Sequence, residues 1–226
     1  MPNRILDLLF PPRCVQCGAY ADGRALCTRC AKSIRIHHSL FCGSCRARLP
    51  EGLKICHKSF PYILGAAADY DAPAIRSLIH ALKFRSMQNA AVPLAEFLIC
   101  YAATIPLPAD ALAVPVPLSV RRRRERGFNQ AELIGGIFAG RFRMPFDPAA
   151  LVRTKHAKPQ SETKTLAERC ENVKNCFAVP DAARVADRNI ILIDDVTTSG
   201  TTFLEAASAL KSAGAKKIIA LAAAKA

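Results

Sequence analysis

The stretch NIILIDDVTTSGTT, residues 189–202, decides the fold of this 226-residue chain. It opens with four consecutive aliphatic residues, Ile190 to Ile193, a run typical of a central parallel strand that helices cover on both faces. Functional groups of such sheets lie at the carboxyl ends of the strands. Two adjacent carboxylates, Asp194 and Asp195, stand at that end, so we expect a binding site there.

The loop after the acid pair is rich in small hydroxyl residues and leads into a predicted helix. Its residues are Thr197, Thr198, Ser199, Gly200, Thr201 and Thr202. Backbone N–H groups at a helix start carry partial positive charge, and the hydroxyls can donate further hydrogen bonds, so the loop fits a phosphate monoester. The carboxylates would repel phosphate and suit sugar hydroxyls or Mg²⁺ instead, so the pattern predicts a ribose-phosphate site. The alternative interpretation is an ordinary helix cap beside a solvated turn.

Outward from this stretch, apolar runs of strand length alternate with helical periodicity, which predicts an α/β fold with a parallel sheet. ALAVPVPL, residues 111–118, is interpreted as a short buried strand, and KKIIALAAA, residues 216–224, as a final strand. Helical spacing follows Ala72, begins again at Pro93, recurs after the arginine-rich segment 121–126 and follows the opening stretch. The arginine-rich segment is interpreted as a loop.

The composition indicates a soluble globular protein with an anionic partner. Hydrophobic residues make up 51% and charged residues 22%, and the net charge of +14 attracts polyanions such as nucleic acid or phosphorylated small molecules. A generically basic surface is the alternative. Apolar runs are shorter than the about twenty residues of a membrane span. The N-terminal run ILDLLF is too short for a secretory leader, so we expect a cytoplasmic protein.

Seven of the ten cysteines precede residue 57 and have the spacing of zinc ligands. The first set is complete and consists of Cys14, Cys17, Cys27 and Cys30. The second set consists of Cys42, Cys45 and Cys56. Leu53 stands where an eighth cysteine would complete it, and His57, His37 or His38 could supply the fourth ligand. Structural zinc is the prediction; an empty degenerate knuckle, a catalytic zinc and disulfides are the alternatives.

Residues 190–202 resemble the phosphoribosyl-pyrophosphate signature of type I phosphoribosyltransferases. Over nearly the whole chain, the order of six motifs resembles the ComF family of competence proteins; they are LLFPPRCVQCG, LIHALKFR, PVPLSVRRRRERGFNQAEL, RTKHAKPQ, AERCENVKNCF and IDDVTTSGTT. This resemblance implies a double zinc-ribbon module over residues 1–60. It also implies a type I phosphoribosyltransferase-like parallel sheet, flanked by helices, over residues 61–226.

The resemblance assigns roles to individual residues. Asp194 and Asp195 would be the catalytic pair that holds the ribose hydroxyls, and residues 197–202 would bind the 5′-phosphate. The pyrophosphate would lie against the loop after the first core strand, where the implied residues are Pro117, Arg123, Arg124 and Arg126. A mobile hood over the ligand would carry Arg153, Gln160, Arg169 and Asn172.

Two functions follow from the resemblance. The first is a protein of DNA uptake in natural transformation that binds phosphoribosyl pyrophosphate and single-stranded DNA, with a DNA-uptake helicase as a candidate partner. Residues 1–60 carry ten Lys and Arg against three acids, which suits an electrostatic contact with a DNA backbone. The second is an active phosphoribosyltransferase that uses Mg²⁺ to transfer ribose 5-phosphate to an unidentified nucleobase-like acceptor.

Overall fold

The computed structural model describes residues 12–49, 56–154 and 176–226. Its helices are α1 (Thr28–Lys32), α2 (Pro73–Phe84), α3 (Ala91–Ala102), α4 (Val120–Arg126), α5 (Gln130–Phe142) and α6 (Thr201–Ser212), with 3₁₀ turns at Gln88–Ala90 and Ala182–Arg184. Its strands are β1 (Phe41–Cys42), β2 (Ile63–Asp69), β3 (Leu112–Pro115), β4 (Val152–Arg153), β5 (Phe177–Ala178), β6 (Ile190–Thr197) and β7 (Ile218–Lys225). Among these described elements, no helix combines the length and apolar character needed to cross a membrane.

The main sheet has the strand order β1-β2-β7-β6-β3, and its four longer strands run parallel. The predicted α/β fold with a parallel sheet flanked by helices is confirmed. Parallel strands end at one edge of the sheet, so the loops after β3 and β6 lie side by side there. The short strand β1 joins β2 antiparallel, which makes the sheet mixed at that edge.

Both faces of the sheet are covered by helices, as the aliphatic run in β6 predicts. Ile191 and Ile193 pack into a core with residues of α2, α3 and α5, whereas Ile190 and Leu192 pack into a second core with residues of α6. All four side chains are fully buried. Because neighbouring residues of a strand point to opposite faces, the two aspartates that follow are sent to opposite sides of the sheet.

The cysteine-rich region packs directly on the sheet. Phe41 lies opposite Leu64, and Cys42 lies opposite Ile63, so β1 covers the first two residues of the outer edge of β2. The buried Tyr101 of α3 donates a hydrogen bond of 2.8 Å to the Ser39 carbonyl. The division of the chain between residues 60 and 61 stays a prediction, since the two parts share a sheet and a core.

Three details differ from the expectations. The arginine-rich segment is a helix and not a loop, because Ser119 accepts a hydrogen bond from the Arg122 backbone at its start and Gly127, at φ +79°, ends it. The strand β6 continues through the acid pair to Thr197. Strands β1 and β2 precede β3, so the arginines do not follow the first strand of the sheet.

Candidate functional site

The acid pair lies near the carboxyl end of β6, an interior strand of the sheet. Asp195 points toward α2, where its Oδ2 lies 2.7 Å from Lys83 Nζ; the two side chains are 7% and 18% exposed. The contact is ionic, since this oxygen accepts no aligned hydrogen bond from the described residues. The backbone N–H of Asp195 donates to Asp194 Oδ1 at 2.8 Å. Two carboxylates therefore share a poorly solvated site with a single lysine in direct contact.

The protonation of Asp194 is perturbed by this environment. Burial raises the pKa of Asp194 well above its ordinary value, and the neighbouring carboxylate of Asp195 raises it further. The positive charge of Lys83 acts in the opposite direction. A ligand that donates hydrogen bonds or brings a cation to this pair would stabilise its ionised form.

The hydroxyl loop connects β6 to α6 by a sharp turn at Gly200. This glycine adopts φ +77° at the N-cap of α6, a left-handed conformation that glycine adopts without strain. Ser199 Oγ lies 2.8 Å from Thr201 Oγ1, and the Thr201 N–H points toward the same serine oxygen at 3.4 Å. The loop therefore places hydroxyls and backbone amides together at the start of a twelve-residue helix.

A cavity of about 130 Å³ opens between the loops that follow β3 and β6. It is lined by Lys83, Val116, Pro117, Leu118, Arg122, Arg126, Gln130, Arg153, the segment Asp194–Thr202 and Phe203. Besides Asp195 Oδ2, three buried polar atoms of this wall lack a hydrogen-bond partner within the described residues; they are Gln130 Nε2, Arg153 Nε and Thr197 Oγ1. Buried polar groups are almost always paired in folded proteins, so these atoms are available to hydrogen-bond a polar ligand or water in the cavity.

The structure brings together most of the residues that the sequence analysis assigned to ligand binding. The acid pair, the whole hydroxyl loop, Pro117 and Arg126 line the cavity. Arg123 and Arg124 do not: both are exposed, and Arg123 forms an ion pair of 3.3 Å with Glu132. Arg122 occupies the wall instead, because only one side of the short helix α4 faces the cavity.

Cations on several elements surround the acid pair. Burial lowers the pKa of Arg126, and the charge of Arg122 lowers it further, while Asp195 has the opposite effect. Burial likewise lowers the pKa of Arg153, whose guanidinium lies 5.4 Å from the centre of the Phe177 ring. With Lys83 included, four cations and two carboxylates line the cavity, which favours an anionic ligand.

The tetrapeptide Gly127–Gln130, for which the sequence suggested no role, shapes this wall. Asn129 donates a hydrogen bond of 3.1 Å to the Val116 carbonyl and accepts one from the Ala131 N–H, so it fixes the loop after β3 to the start of α5. Gln130 then projects its amide into the cavity. Arg153, expected on a mobile hood, lies on β4. Gln160, Arg169 and Asn172 lie outside the described residues.

The first cysteine set forms a compact cluster. The four sulphur atoms of Cys14, Cys17, Cys27 and Cys30 lie within 4.8 Å of one another, and Cys17 Sγ is 3.7 Å from Cys27 Sγ. A tetrahedral zinc ion with bonds of about 2.3 Å requires its sulphur ligands to lie about 3.8 Å apart, which is close to the distance between Cys17 Sγ and Cys27 Sγ. Burial alone would raise the pKa of Cys14, but backbone N–H groups, that of Cys27 first, lower it to about 6. Burial and the neighbouring cysteines raise the pKa of Cys30 to about 12, so without a metal ion the cluster shares protons among its four thiols.

The second set is completed by His57. Its Nδ1 lies 3.4 Å from Cys42 Sγ and 3.3 Å from Cys56 Sγ, and Cys45 Sγ is 3.5 Å from Cys56 Sγ. These distances also fit a tetrahedral zinc site. His37 is engaged elsewhere, 3.2 Å from Asp69 Oδ1. The set is therefore closed by four protein ligands, as in a structural site, and none of the nine cysteines of the described residues is in a disulfide.

Two family models match parts of this chain. Residues 5–59 match the double zinc ribbon domain, and residues 129–226 match the phosphoribosyl transferase domain. The DNA utilization protein YhgH of Escherichia coli O157:H7 is 30% identical over 199 residues, which cover 86% of this chain and 82% of that protein.

Two competence proteins are also similar. Competence protein F of Haemophilus influenzae is 28% identical over 224 residues, 92% of this chain and 95% of its own length. Competence protein ComFC of Bacillus subtilis is 38% identical over 104 residues, 45% of this chain and 38% of its own. With the cysteine clusters and the parallel sheet, these matches show that the chain belongs to the ComF family of competence proteins, in which a double zinc ribbon precedes a phosphoribosyltransferase-like domain.

Proposed function

We propose that this protein binds phosphoribosyl pyrophosphate, together with Mg²⁺, in the cavity at the end of β6, and that it acts in DNA uptake by binding single-stranded DNA. The observation that carries the first part is the set of buried, unpartnered polar atoms beside the acid pair. The names of the relatives, a DNA utilization protein and two competence proteins, support the second part. The cytoplasm, where thiols stay reduced, is the compartment we infer for this work.

The chemistry of the cavity wall matches the parts of this ligand. The ribose hydroxyls would donate hydrogen bonds to Asp194 and Asp195, and the 5′-phosphate would accept them from the loop 197–202. The pyrophosphate would lie against Arg122 and Arg126, whose guanidinium groups can bind phosphate oxygens with two parallel hydrogen bonds. Mg²⁺ would neutralise part of the pyrophosphate charge.

Isothermal titration calorimetry with phosphoribosyl pyrophosphate and Mg²⁺ tests this assignment. We expect the wild-type protein to bind, and Asp195→Asn to bind at least tenfold more weakly, because the amide would offer one acceptor where the carboxylate offers two. Glu96→Gln is a matched control, since this exposed carboxylate lies on α3, away from the cavity. Absence of binding by the wild-type protein would refute the proposed ligand.

Single-stranded DNA binding is supported by charge and by one exposed ring near the cavity. Phe84 is 69% exposed, and its ring centre lies 5.9 Å from the guanidinium carbon of Arg126, which itself lines the cavity. Aromatic rings and arginine planes of this kind stack on nucleobases. The excess of basic residues over residues 1–60 would contact the phosphates.

Fluorescence anisotropy with a labelled oligonucleotide tests the DNA proposal. We expect log affinity to fall linearly with log salt, with a slope of about −0.7 per phosphate contact. Phe84→Ala should weaken binding severalfold at every salt concentration without changing the slope, because stacking releases no counterions. Val120→Ala, which removes another exposed apolar side chain, is the control. Affinity independent of salt would contradict the proposal.

A second candidate function is transfer of the ribose 5-phosphate unit. It is favoured by the position of Arg122 and Arg126 in the same cavity as the acid pair, where they could stabilise charge on departing pyrophosphate. The C1′–O bond to pyrophosphate would break, a bond from C1′ to an acceptor nitrogen would form, and the acceptor would lose one proton. Pyrophosphate release in the presence of purine and pyrimidine bases, with Asp195→Asn as control, tests this activity. Binding without release would leave only the first function.

A further inference from the structure

The phosphate loop has no positively charged residue of its own, since residues 194–203 contain neither lysine nor arginine. Two side chains from outside the loop contact its glycine. Tyr62 Oη donates a hydrogen bond of 3.4 Å to the Gly200 carbonyl. A Cβ atom placed on Gly200 would lie 2.8 Å from the same hydroxyl oxygen and 2.9 Å from Arg46 Nη2. A guanidinium of the cysteine-rich region therefore lies against the loop proposed to bind the 5′-phosphate.

Arg46 is held in this place by the second cysteine set. It follows Cys45 directly, and its backbone N–H donates a hydrogen bond of 3.0 Å to the Cys42 carbonyl. Its φ of +60° is unusual for a residue other than glycine, so the surrounding structure imposes the conformation. The turn between two metal ligands thus determines where this guanidinium lies.

The same turn contacts the segment just before β2, which carries Tyr62. A Cβ atom on Gly43 would lie 2.5 Å from the Tyr62 carbonyl oxygen, so the backbone of the turn lies directly against the backbone of Tyr62. Burial raises the pKa of Tyr62 to about 12 while the charge of Arg46 acts in the opposite direction, so the hydroxyl stays protonated and donates to the loop. Metal ligands, Tyr62 and the loop form one continuous set of contacts.

We propose that Arg46 supplies the phosphate loop with the positive charge that the loop lacks, and that the metal-binding turn of the second zinc ribbon holds it there. Arg46 and Tyr62 lie on the ribbon side of Gly200, just outside the cavity wall, so the guanidinium acts on the phosphate mainly through its charge. The zinc ribbon would then be part of the ligand site and not only a separate module. This inference rests on the proposed binding of a sugar phosphate.

Calorimetry with ribose 5-phosphate and with free pyrophosphate tests the role of Arg46. Arg46→Gly removes the guanidinium, and the left-handed backbone at this position favours glycine, so the ribbon should still fold. We expect about tenfold weaker binding of ribose 5-phosphate at low salt, a smaller difference at high salt and little change for pyrophosphate. Arg46→Lys should recover part of the affinity because it restores the charge.

Arg48→Gly is the matched control, since Arg48 is an exposed arginine two residues after Arg46 in the same cysteine-rich region. Zinc content, measured by atomic emission for every variant, should be equal to that of the wild-type protein. If wild-type protein fails to bind ribose 5-phosphate and phosphoribosyl pyrophosphate, the proposed function is refuted. If it binds both and Arg46→Gly binds equally well, or loses affinity only in proportion to lost zinc, the role of Arg46 alone is refuted.

Discussion

Replacement of Lys83 by methionine should destabilise the protein through the acid pair. The change leaves Asp195, with a side chain 7% exposed, without the ammonium that lies 2.7 Å from its Oδ2. Removal of one partner from a buried ion pair costs about 3–5 kcal/mol, and the partial exposure of Lys83, 18%, favours the lower end of that range. With a urea dependence of about 2–3 kcal/mol per molar, the denaturation midpoint should fall by about 1–1.5 M.

The loss of stability caused by Lys83→Met should be larger at high pH than at low pH. The folded-state pKa of Asp194 is raised above its unfolded value, so the folded state holds this proton more tightly and stability is lost as pH rises from the unfolded pKa toward the folded one. Lys83 opposes that rise in pKa, and its removal therefore raises the pKa of Asp194 further. We expect Lys83→Met to cost less at pH 5, where the acid pair can take up a proton, than at pH 8.

A double-mutant cycle measured by urea denaturation isolates the ion pair. Asp195→Asn in the Lys83→Met background should recover at least about 1.5 kcal/mol, because the uncompensated buried charge disappears. Arg85→Met, which changes an exposed cation two residues along the chain, should alter stability by less than about 0.5 kcal/mol. Strictly additive effects of the two site mutations, or equal destabilisation at both pH values, would refute this reasoning.

Three further predictions concern the loop, the acid pair and the metal. Gly200→Ala should lower the free energy of unfolding by about 1–2 kcal/mol, because alanine is strained at φ +77°, and should weaken phosphoribosyl pyrophosphate binding at least tenfold; unchanged thermal denaturation and calorimetry would contradict this. Asp194→Asn should stabilise the ligand-free protein above pH 4 and flatten its pH dependence, since it removes a carboxyl whose folded pKa is raised; a less stable variant at pH 8 would speak against it. His57→Ala should lower the zinc content measured by atomic emission from two ions per chain to about one, and an unchanged content would exclude His57 as a ligand.

The centre of the site is predictable from sequence because its residues are contiguous. The acid pair and the hydroxyl loop follow one aliphatic strand, and a strand of this kind has a known polarity in a parallel sheet. Lys83 and Gln130 are different, because each comes from another element and reaches the cavity only through tertiary packing. A lysine at the end of an amphipathic helix has the same local sequence pattern whether it is solvated or reaches a binding site. The sequence around Lys83 therefore gave no sign that it would contact Asp195.

Two structural features escaped sequence reasoning for physical reasons. The strand Ile63–Asp69, ILGAAAD, is rich in alanine and glycine and contains a single β-branched residue, Ile63, whereas several such residues usually indicate a strand. Its small side chains are buried because α3 and a neighbouring strand pack closely against it, a property of the assembled fold. The choice of His57 over two other histidines likewise depends on the three-dimensional turn that brings it to Cys42.

The pairing of Phe41 and Cys42 with β2 has a practical consequence for the expression of truncated versions of this protein. A fragment that began at residue 61 would expose unpaired backbone amides and carbonyls along the alanine-rich strand β2. A second molecule could pair with this edge strand to strand. Such a truncated product would be prone to precipitate during expression, even if its ligand cleft were intact. By its pairing with β2, the cysteine-rich segment would thus also limit the association of two copies at the start of this strand.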